Sequence, residues 1–239
     1  MPERFWEIDF FRGLAVIAMV VFHFLFDLYY FKGYLFNLQS GLLWAIGRFA
    51  GISFLLLVGI SLTISHYRAK QKNENLFFKF LKRGTMIFSF GLLVTIVTFL
   101  FAPQGTIFFG ILHLIGLSII LAVPFIEKKR AALFFGVMFL FIGLYLQQFY
   151  FSFPWLAWLG FYPENIYTFD YYPLLPWFGI VLIGVFVGNV LYPNAKQKFA
   201  INAFPLTFPL DLVCFLGKNS LAIYLIHQLF LISAVLLFF

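Results

Sequence analysis

The sequence has 239 residues, of which 63% are hydrophobic and only 10% are charged, and its mean hydropathy is +0.98. A soluble domain carries about a quarter charged residues, so this composition excludes an ordinary water-soluble protein. The formal net charge of +7 is accounted for by membrane topology and anionic lipid, so nucleic acid is not an expected partner.

The apolar residues occur in continuous runs that would cover the whole circumference of a helix, for example 54–64 and 87–102. Such helices belong in lipid, and a porin-type barrel would instead show strict alternation. The sequence therefore predicts an all-α, polytopic transmembrane helical bundle that forms one domain over 1–239. About seven spans fit the length needed to cross a bilayer, at about 9–30, 42–66, 84–102, 107–126, 131–149, 173–192 and 219–238.

Basic residues sort strongly between the two ends of these spans, with thirteen at one face and only Lys32 at the other. The thirteen are Arg4, Arg68, Lys70, Lys72, Lys79, Lys82, Arg83, Lys128, Lys129, Arg130, Lys196, Lys198 and Lys218. The positive-inside rule then predicts a cell-membrane protein with its N-terminus in the cytoplasm and its C-terminus outside. The single cysteine, Cys214, rules out an internal disulfide, and membrane lipids are expected partners.

Small residues predict where helices approach closely. The sequence contains two G-x-x-x-G pairs, Gly47/Gly51 and Gly184/Gly188, and such pairs allow close contact between neighbouring helices.

The first predicted span carries a stripe of ionisable residues, which are costly in a membrane and therefore informative. Arg12 and His23 are eleven residues apart and lie roughly 20° apart around the helix. His23 and Asp27 are at positions i and i+4 and can touch. A carboxylate bonded to one ring nitrogen fixes the tautomer of the imidazole, so His23 is a candidate general base oriented by Asp27. The alternative is a structural helix–helix contact.

Three more ionisable groups, Arg48, His113 and His227, fall at a similar predicted depth in the outer half of the membrane. With His23 and Asp27 they form the candidate catalytic set. Arg48 would stabilise an oxyanion or neutralise a carboxylate, whereas His113 and His227 are as well explained by structural hydrogen bonds. His66, at the inner end of the second span, is expected at the surface. No H-x-x-x-H pair is present, so a metal site is not expected.

Substrate contacts are expected at both ends of the bundle. Arg12 either reaches lipid headgroups or binds an anionic donor that enters from the cytoplasm. The aromatic outer connection 150–172 is either an interfacial belt or a platform for a sugar-like acceptor. The candidate substrate-binding residues are Asp9, Arg12, Asn219, Asp170 and Trp177.

Several ordered motifs resemble one family. The opening 8–15 (IDFFRGLA) followed by 19–23 (MVVFH), then 53–61 (SFLLLVGIS), 109–118 (FGILHLIGLS) and 217–228 (GKNSLAIYLIHQ) are similar to the small prokaryotic members of the heparan-alpha-glucosaminide N-acetyltransferase catalytic-domain family. The spacing from Arg12 to His23 is also similar to the R-x10-H signature of a related, broad family of membrane acyltransferases.

The resemblance implies a membrane acyltransferase. Cytoplasmic acetyl-CoA or another acyl-CoA would be the donor, and an amine or hydroxyl of a sugar or glycan at the outer face would be the acceptor. The chain departs from the lysosomal branch of the family, which has about eleven spans and a histidine in its first outer loop; residues 24–65 here contain none. The alternatives are a proton-coupled small-molecule transporter that uses the same buried groups and a non-catalytic lipid-binding protein. Homo-oligomerisation is left open.

Overall fold

The computed structural model describes residues 4–38, 40–164, 167–199 and 208–239. Within these ranges the chain is all-α, with eight helices and no strand beyond isolated bridges. The helices are α1 (Trp6–Lys32), α2 (Gly41–Gln71), α3 (Leu76–Phe101), α4 (Ile111–Leu121), α5 (Lys129–Leu146), α6 (Leu174–Leu191), α7 (Leu210–Lys218) and α8 (Ser220–Phe238). The predicted fold class is thereby confirmed.

Six of the helices in the described part of the chain are long and apolar enough to cross a membrane, namely α1, α2, α3, α5, α6 and α8. The remaining predicted span, 107–126, contains α4, which has only 11 residues and rises about 17 Å at 1.5 Å per residue. A 3-10 turn, Val123–Phe125, extends this segment. The number of spans is therefore close to the predicted seven, with a short fourth element.

The chain divides into two compact units. The first comprises residues 4–54 and 208–239, in which α1 packs against α7 and α8. Glycine permits the approach of α7: a Cβ at Gly13 would meet the backbone of Val213, and a Cβ at Gly217 would meet the carbonyl of Asp9. The two helices therefore touch through their backbones, which fixes α7 against the first two turns of α1.

The second unit comprises residues 55–199, and its main helix pairs are α3 with α4 and α5 with α6. Close backbone contact again depends on glycine. A Cβ at Gly116 would lie 2.6 Å from the backbone nitrogen of Phe88 on α3, and a Cβ at Gly188 would lie 2.9 Å from the side chain of Thr63 on α2. The close contact predicted for the Gly184/Gly188 pair is confirmed.

The extended segment before α6 pairs with the segment that joins α3 to α4. Phe169 N–H donates to Gly105 O at 3.1 Å and Tyr172 N–H donates to Phe109 O at 3.0 Å. These bonds satisfy backbone groups that a membrane interior would leave unpaired. They also hold the residues before α6 beside the N-terminus of α4.

Candidate active site

Two histidines that are 204 residues apart in sequence meet in the first unit. His23 lies on α1 and His227 on α8, and both side chains are half-buried. His23 Nδ1 lies 3.1 Å from His227 Nε2, and the ring centroids are 4.9 Å apart with the planes tilted by 47°. The structure thus brings together two of the five residues predicted to be catalytic.

The hydrogen bonds around this pair fix which nitrogen of each neutral ring carries the proton. His227 Nδ1 lies 2.7 Å from the backbone oxygen of Tyr224, and because a carbonyl only accepts, Nδ1 must donate. The Nε2 of His227 is then the acceptor, and the proton between the two rings belongs to His23 Nδ1. The backbone carbonyl of Met19 also accepts a hydrogen bond from the His23 ring. Because the neutral ring has a single N–H, at Nδ1, that hydrogen serves both acceptors and Nε2 keeps its lone pair, as a general base requires.

Asp27 lies one helical turn after His23, but its carboxylate does not orient that ring. Asp27 Oδ1 accepts a 2.6 Å hydrogen bond from Nε2 of Gln228, and Oδ2 has no hydrogen-bond partner among the described residues. The predicted His23–Asp27 contact is wrong because the i, i+4 spacing allows contact without requiring it. Instead, each side chain bonds a residue of the facing helix α8: the Asp27 carboxylate bonds Gln228, and the His23 imidazole bonds His227.

The local pattern explains why these four side chains form two pairs. His23 and Asp27 occupy one face of α1 because they are four residues apart. His227 and Gln228 are consecutive on α8, so their side chains diverge by about 100° and reach different turns of the facing helix. Asp27 is fully buried, at 0% exposure. Gln228 is the member of this cluster that the sequence reasoning missed, although it lies in the last of the family-like motifs.

Arg48 is exposed on α2, and its guanidinium carbon lies 5.5 Å from the centre of the Trp44 ring. This distance is within the range of a cation–π interaction. The neighbouring Gly47 meets the ring of Phe22 on α1, where a Cβ would lie 2.9 Å from the aromatic carbons. This confirms close contact at Gly47. Neutralisation of Asp27 by Arg48 is not observed: no ion pair among the described residues joins these two side chains.

At the beginning of α1, Arg12 Nη1 forms an ion pair with Asp9 Oδ1 at 3.1 Å. Asp9 is buried at 5% exposure, and its Oδ2 has no partner among the residues described. The guanidinium is thus held by a carboxylate on its own helix. Asn219, between α7 and α8, is exposed, and its side-chain amide donates to Phe215 O at 2.9 Å.

His113 belongs to the second unit and is almost completely buried, with 2% exposure. Its Nδ1 accepts from the backbone N–H of Gly110 at 3.2 Å, and its Nε2 lies 3.3 Å from Thr95 Oγ1. Thr95 in turn donates to Ile107 O at 2.6 Å. Because both ring nitrogens have partners, the geometry favours the structural interpretation of His113 over the catalytic one.

Two candidate substrate-binding residues have structural contacts instead. Asp170 Oδ2 accepts a 2.9 Å hydrogen bond from the backbone of Ile111, the first residue of α4, and so caps a helix whose own N-cap is a glycine. Burial raises the pKa of the Asp170 carboxyl to about 6. Trp177 is 6% exposed and its ring packs 4.6 Å from that of Tyr172, so it belongs to the core.

His66 is buried rather than exposed, with 4% exposure, and the expectation of a surface position is wrong. Its Nε2 lies 3.0 Å from Glu127 Oε1, and Lys70 Nζ donates to the same oxygen at 2.6 Å. These two hydrogen bonds, first that of Lys70 and then that of His66, lower the pKa of Glu127. The helix α2 continues past His66 to Gln71, which places the residue against the turn before α5.

No three His, Cys, Asp or Glu side chains in the described ranges are grouped closely enough to hold a metal ion. Around the histidine pair, the first unit offers two imidazoles, the buried carboxylate of Asp27 and the side-chain amide of Gln228.

These features define the class of the protein: a multi-pass α-helical membrane protein with a hydrogen-bonded histidine pair between α1 and α8. The family model described as "Heparan-alpha-glucosaminide N-acetyltransferase, catalytic" matches residues 4–229, and the chain belongs to this family. The matched region contains the histidine pair, Asp27 and Gln228. Neither a curated protein nor a solved structure matches the chain. The resemblance expected from the motifs is confirmed.

Proposed function

We propose that the protein transfers an acyl group from acyl-CoA, with acetyl-CoA as the simplest donor, to an amine or hydroxyl of a sugar- or glycan-like acceptor. Family membership supports acetyl transfer in general. The observation that carries the proposal is the hydrogen-bonded series from the Tyr224 carbonyl through His227 to His23. It leaves a basic nitrogen, His23 Nε2, in a membrane helix, where an ionisable group is costly without a function.

In the proposed reaction His23 Nε2 accepts a proton from the acceptor nucleophile as that nucleophile attacks the thioester carbonyl. A new C–N or C–O bond forms, the C–S bond breaks, and the proton on His23 passes to the sulfur of the leaving CoA thiolate. His227 does not touch the substrate. It is a positioning residue: its Nε2 accepts a hydrogen bond from the Nδ1–H of His23 and stabilises the imidazolium that forms when His23 is protonated.

The other roles follow from charge. Arg48, whose guanidinium lies over Trp44, is the proposed source of positive charge for the developing oxyanion. Arg12, held by Asp9, is proposed to contact the anionic donor near the inner end of α1, with Asn219 at the same end of the α7–α8 connection. No substrate role is proposed for His113, Asp170 or Trp177, because each has the structural contacts described above.

The proposed topology has the N-terminus in the cytoplasm of a cell-membrane protein and the C-terminus outside. Its support is the distribution of basic residues between the two faces. The basic connections fall on one face only if the short α4 segment also crosses the membrane. In this orientation His23 lies in the outer half of α1. The carrier alternative gains no support from the family match, which describes a transferase.

Purified protein in proteoliposomes with radiolabelled acetyl-CoA tests the proposal. The wild type is expected to move label to a soluble amine and to release one free CoA thiol for each product. His23→Ala should lower this rate about 10²- to 10⁴-fold, the usual contribution of a general base. The matched control is Ser233→Ala, an exposed hydroxyl on α8 that donates to Leu229 O in its own helix. Equal rates for His23→Ala and the control would refute the catalytic assignment.

A further inference from the structure

A groove lies on the exposed side of the α5–α6 pair in the second unit. Its volume is about 460 Å³, and its lining is apolar apart from one guanidinium. The residues that line it are Arg130, Leu133, Phe134, Val137, Met138 and Phe186. Pockets that hold small ligands have volumes of about 300–1,000 Å³, so the groove is large enough for a bound molecule.

Close packing of the two helices forms one side of this groove. A Cβ at Gly136 would lie 3.0 Å from the carbonyl oxygen of Gly179, and a Cβ at Gly179 would lie 2.5 Å from that of Gly136. The backbones of α5 and α6 therefore touch, and larger side chains near this contact, Met138 and Phe186, line the groove. Both helices are long and apolar enough to cross a membrane, so the groove is set by helix packing at membrane depth rather than by a loop.

The length of the groove matches one leaflet of a bilayer. Its five lining residues on α5 occupy positions i, i+3, i+4, i+7 and i+8 from Arg130, which is a single helix face. From Arg130 to Met138 the helix rises about 12 Å at 1.5 Å per residue. The hydrocarbon core of a bilayer is about 30 Å thick, so one leaflet supplies about 15 Å. The groove thus runs through most of one leaflet and ends at a cation.

Positive charge is concentrated at this end of the groove, where α5 begins. Lys128, Lys129 and Arg130 are consecutive and exposed, and none of the ion pairs of the described residues includes them. The first turn of α5 contains no acidic side chain. The preceding carboxylate, Glu127, accepts a hydrogen bond from Lys70 instead. An anion at the end of the groove would therefore balance a charge that the described side chains leave unbalanced.

Together, the apolar length and the cationic end select the occupant. A packed helix of a second copy would have to bury the Arg130 guanidinium or bring a carboxylate to it. A zwitterionic lipid brings a phosphate but also a cation, which the three basic residues repel. An anionic lipid brings an apolar chain and a net negative charge, and basic residues near the membrane surface attract such lipids.

We propose that the α5–α6 groove binds one anionic phospholipid, with an acyl chain along Leu133, Val137 and Phe186 and the phosphate at Arg130. This assignment depends on α5 and α6 spanning the membrane and is independent of the proposed acyl transfer. The lipid belongs to the leaflet at the face that carries the basic connections.

Native mass spectrometry of the purified protein in detergent tests the site, with dioleoyl phosphatidylglycerol as the anionic probe and dioleoyl phosphatidylcholine as the zwitterionic one. The wild type is expected to bind phosphatidylglycerol about tenfold more tightly or better. Arg130→Gln should weaken this binding about fivefold, the usual contribution of one basic residue beside an anionic lipid. The matched control is Lys198→Gln, which removes an exposed positive charge outside the groove and should leave the dissociation constant unchanged.

A second pair of variants tests the apolar part of the groove. Val137→Trp fills the groove and should weaken phosphatidylglycerol binding about tenfold or more, because each CH₂ kept from burial costs about fourfold. The matched control is Val97→Trp, since Val97 on α3 is an exposed valine outside the groove. This control should bind phosphatidylglycerol as the wild type does.

Three results would overturn the proposal. One is equal affinity of the wild type for the two lipids. Another is an Arg130→Gln variant that binds phosphatidylglycerol as tightly as Lys198→Gln, and this comparison holds even if Val137→Trp does not fold. The third is a wild type that binds neither lipid and forms a dimer that Val137→Trp dissociates, because the groove would then be a contact between copies of the chain.

Discussion

His227 should affect catalysis only through His23. Replacing His227 by leucine removes the acceptor that lies 3.1 Å from His23 Nδ1 and leaves that N–H only the carbonyl of Met19 on its own helix. A hydrogen bond to a charged group contributes about 1.5–3 kcal/mol, and its loss from the imidazolium that forms in the transition state corresponds to a decrease in kcat of roughly ten- to 150-fold. His23→Ala should cost more, about 10²- to 10⁴-fold.

A double-mutant cycle separates this role from direct catalysis. If His227 only positions His23, the double variant His23→Ala/His227→Leu should be no slower than His23→Ala alone. Initial rates of label transfer at saturating acetyl-CoA give the four values of the cycle. His227→Gln is the matched control because its side-chain oxygen can accept from His23 Nδ1, and it should lose less activity than His227→Leu. Multiplicative losses in the double variant would refute the positioning role.

Three further predictions concern stability. Asp170→Ala removes the carboxylate that caps α4 at Ile111 and should lower the free energy of unfolding by about 0.5–2 kcal/mol, the usual value of an N-cap. The loss should appear as a lower thermal midpoint in detergent. Asp170→Asn keeps an acceptor oxygen and should lose less stability. The hydrogen bonds that lower the pKa of Glu127 stabilise the folded protein at pH values above the ordinary pKa of glutamate. This stabilisation is lost as the pH falls through the lowered pKa of Glu127. The thermal midpoint of Glu127→Gln should therefore fall less than that of the wild type below pH 5. Gly184→Leu should reduce the yield of folded protein, because even a Cβ there meets the backbone of Leu56.

Each of these predictions has a contrary outcome. A thermal midpoint of Asp170→Ala equal to that of the wild type would show that the cap contributes nothing. Parallel acid curves for Glu127→Gln and the wild type would remove Glu127 from the pH dependence. A fully folded Gly184→Leu variant would mean that α2 and α6 can separate at no cost.

The helix period made the α1 stripe predictable. The spacing of four residues placed His23 and Asp27 on one face, and the high cost of ionisable groups in lipid drew attention to His227, which the structure pairs with His23. What the sequence could not provide was the pairing between helices. His23 bonds a residue 204 positions away and Asp27 bonds one 201 positions away, and the rotation of α8 about its axis decides which partner each receives.

The wrong or unsupported assignments share a cause. Asp170 was a candidate substrate-binding residue in the connection 150–172, and its substrate contact stays a prediction, but the sequence did not reveal that its carboxylate bonds the backbone of Ile111 at the N-terminus of α4. His66 was expected at the surface because it lies next to basic residues, but α2 continues for five residues to Gln71 and Glu127 folds back onto it. Both outcomes depend on contacts between segments that no local pattern records.

Transfer across a sealed membrane tests the central claim most directly. Proteoliposomes of uniform orientation would receive labelled acetyl-CoA only at the face carrying the basic connections and would contain glucosamine only at the other. The account predicts labelled amide inside the vesicles for the wild type and for Ser233→Ala, with a rate lower by at least a hundredfold for His23→Ala. Absence of labelled product with the wild type, or an unchanged rate with His23→Ala, would contradict it.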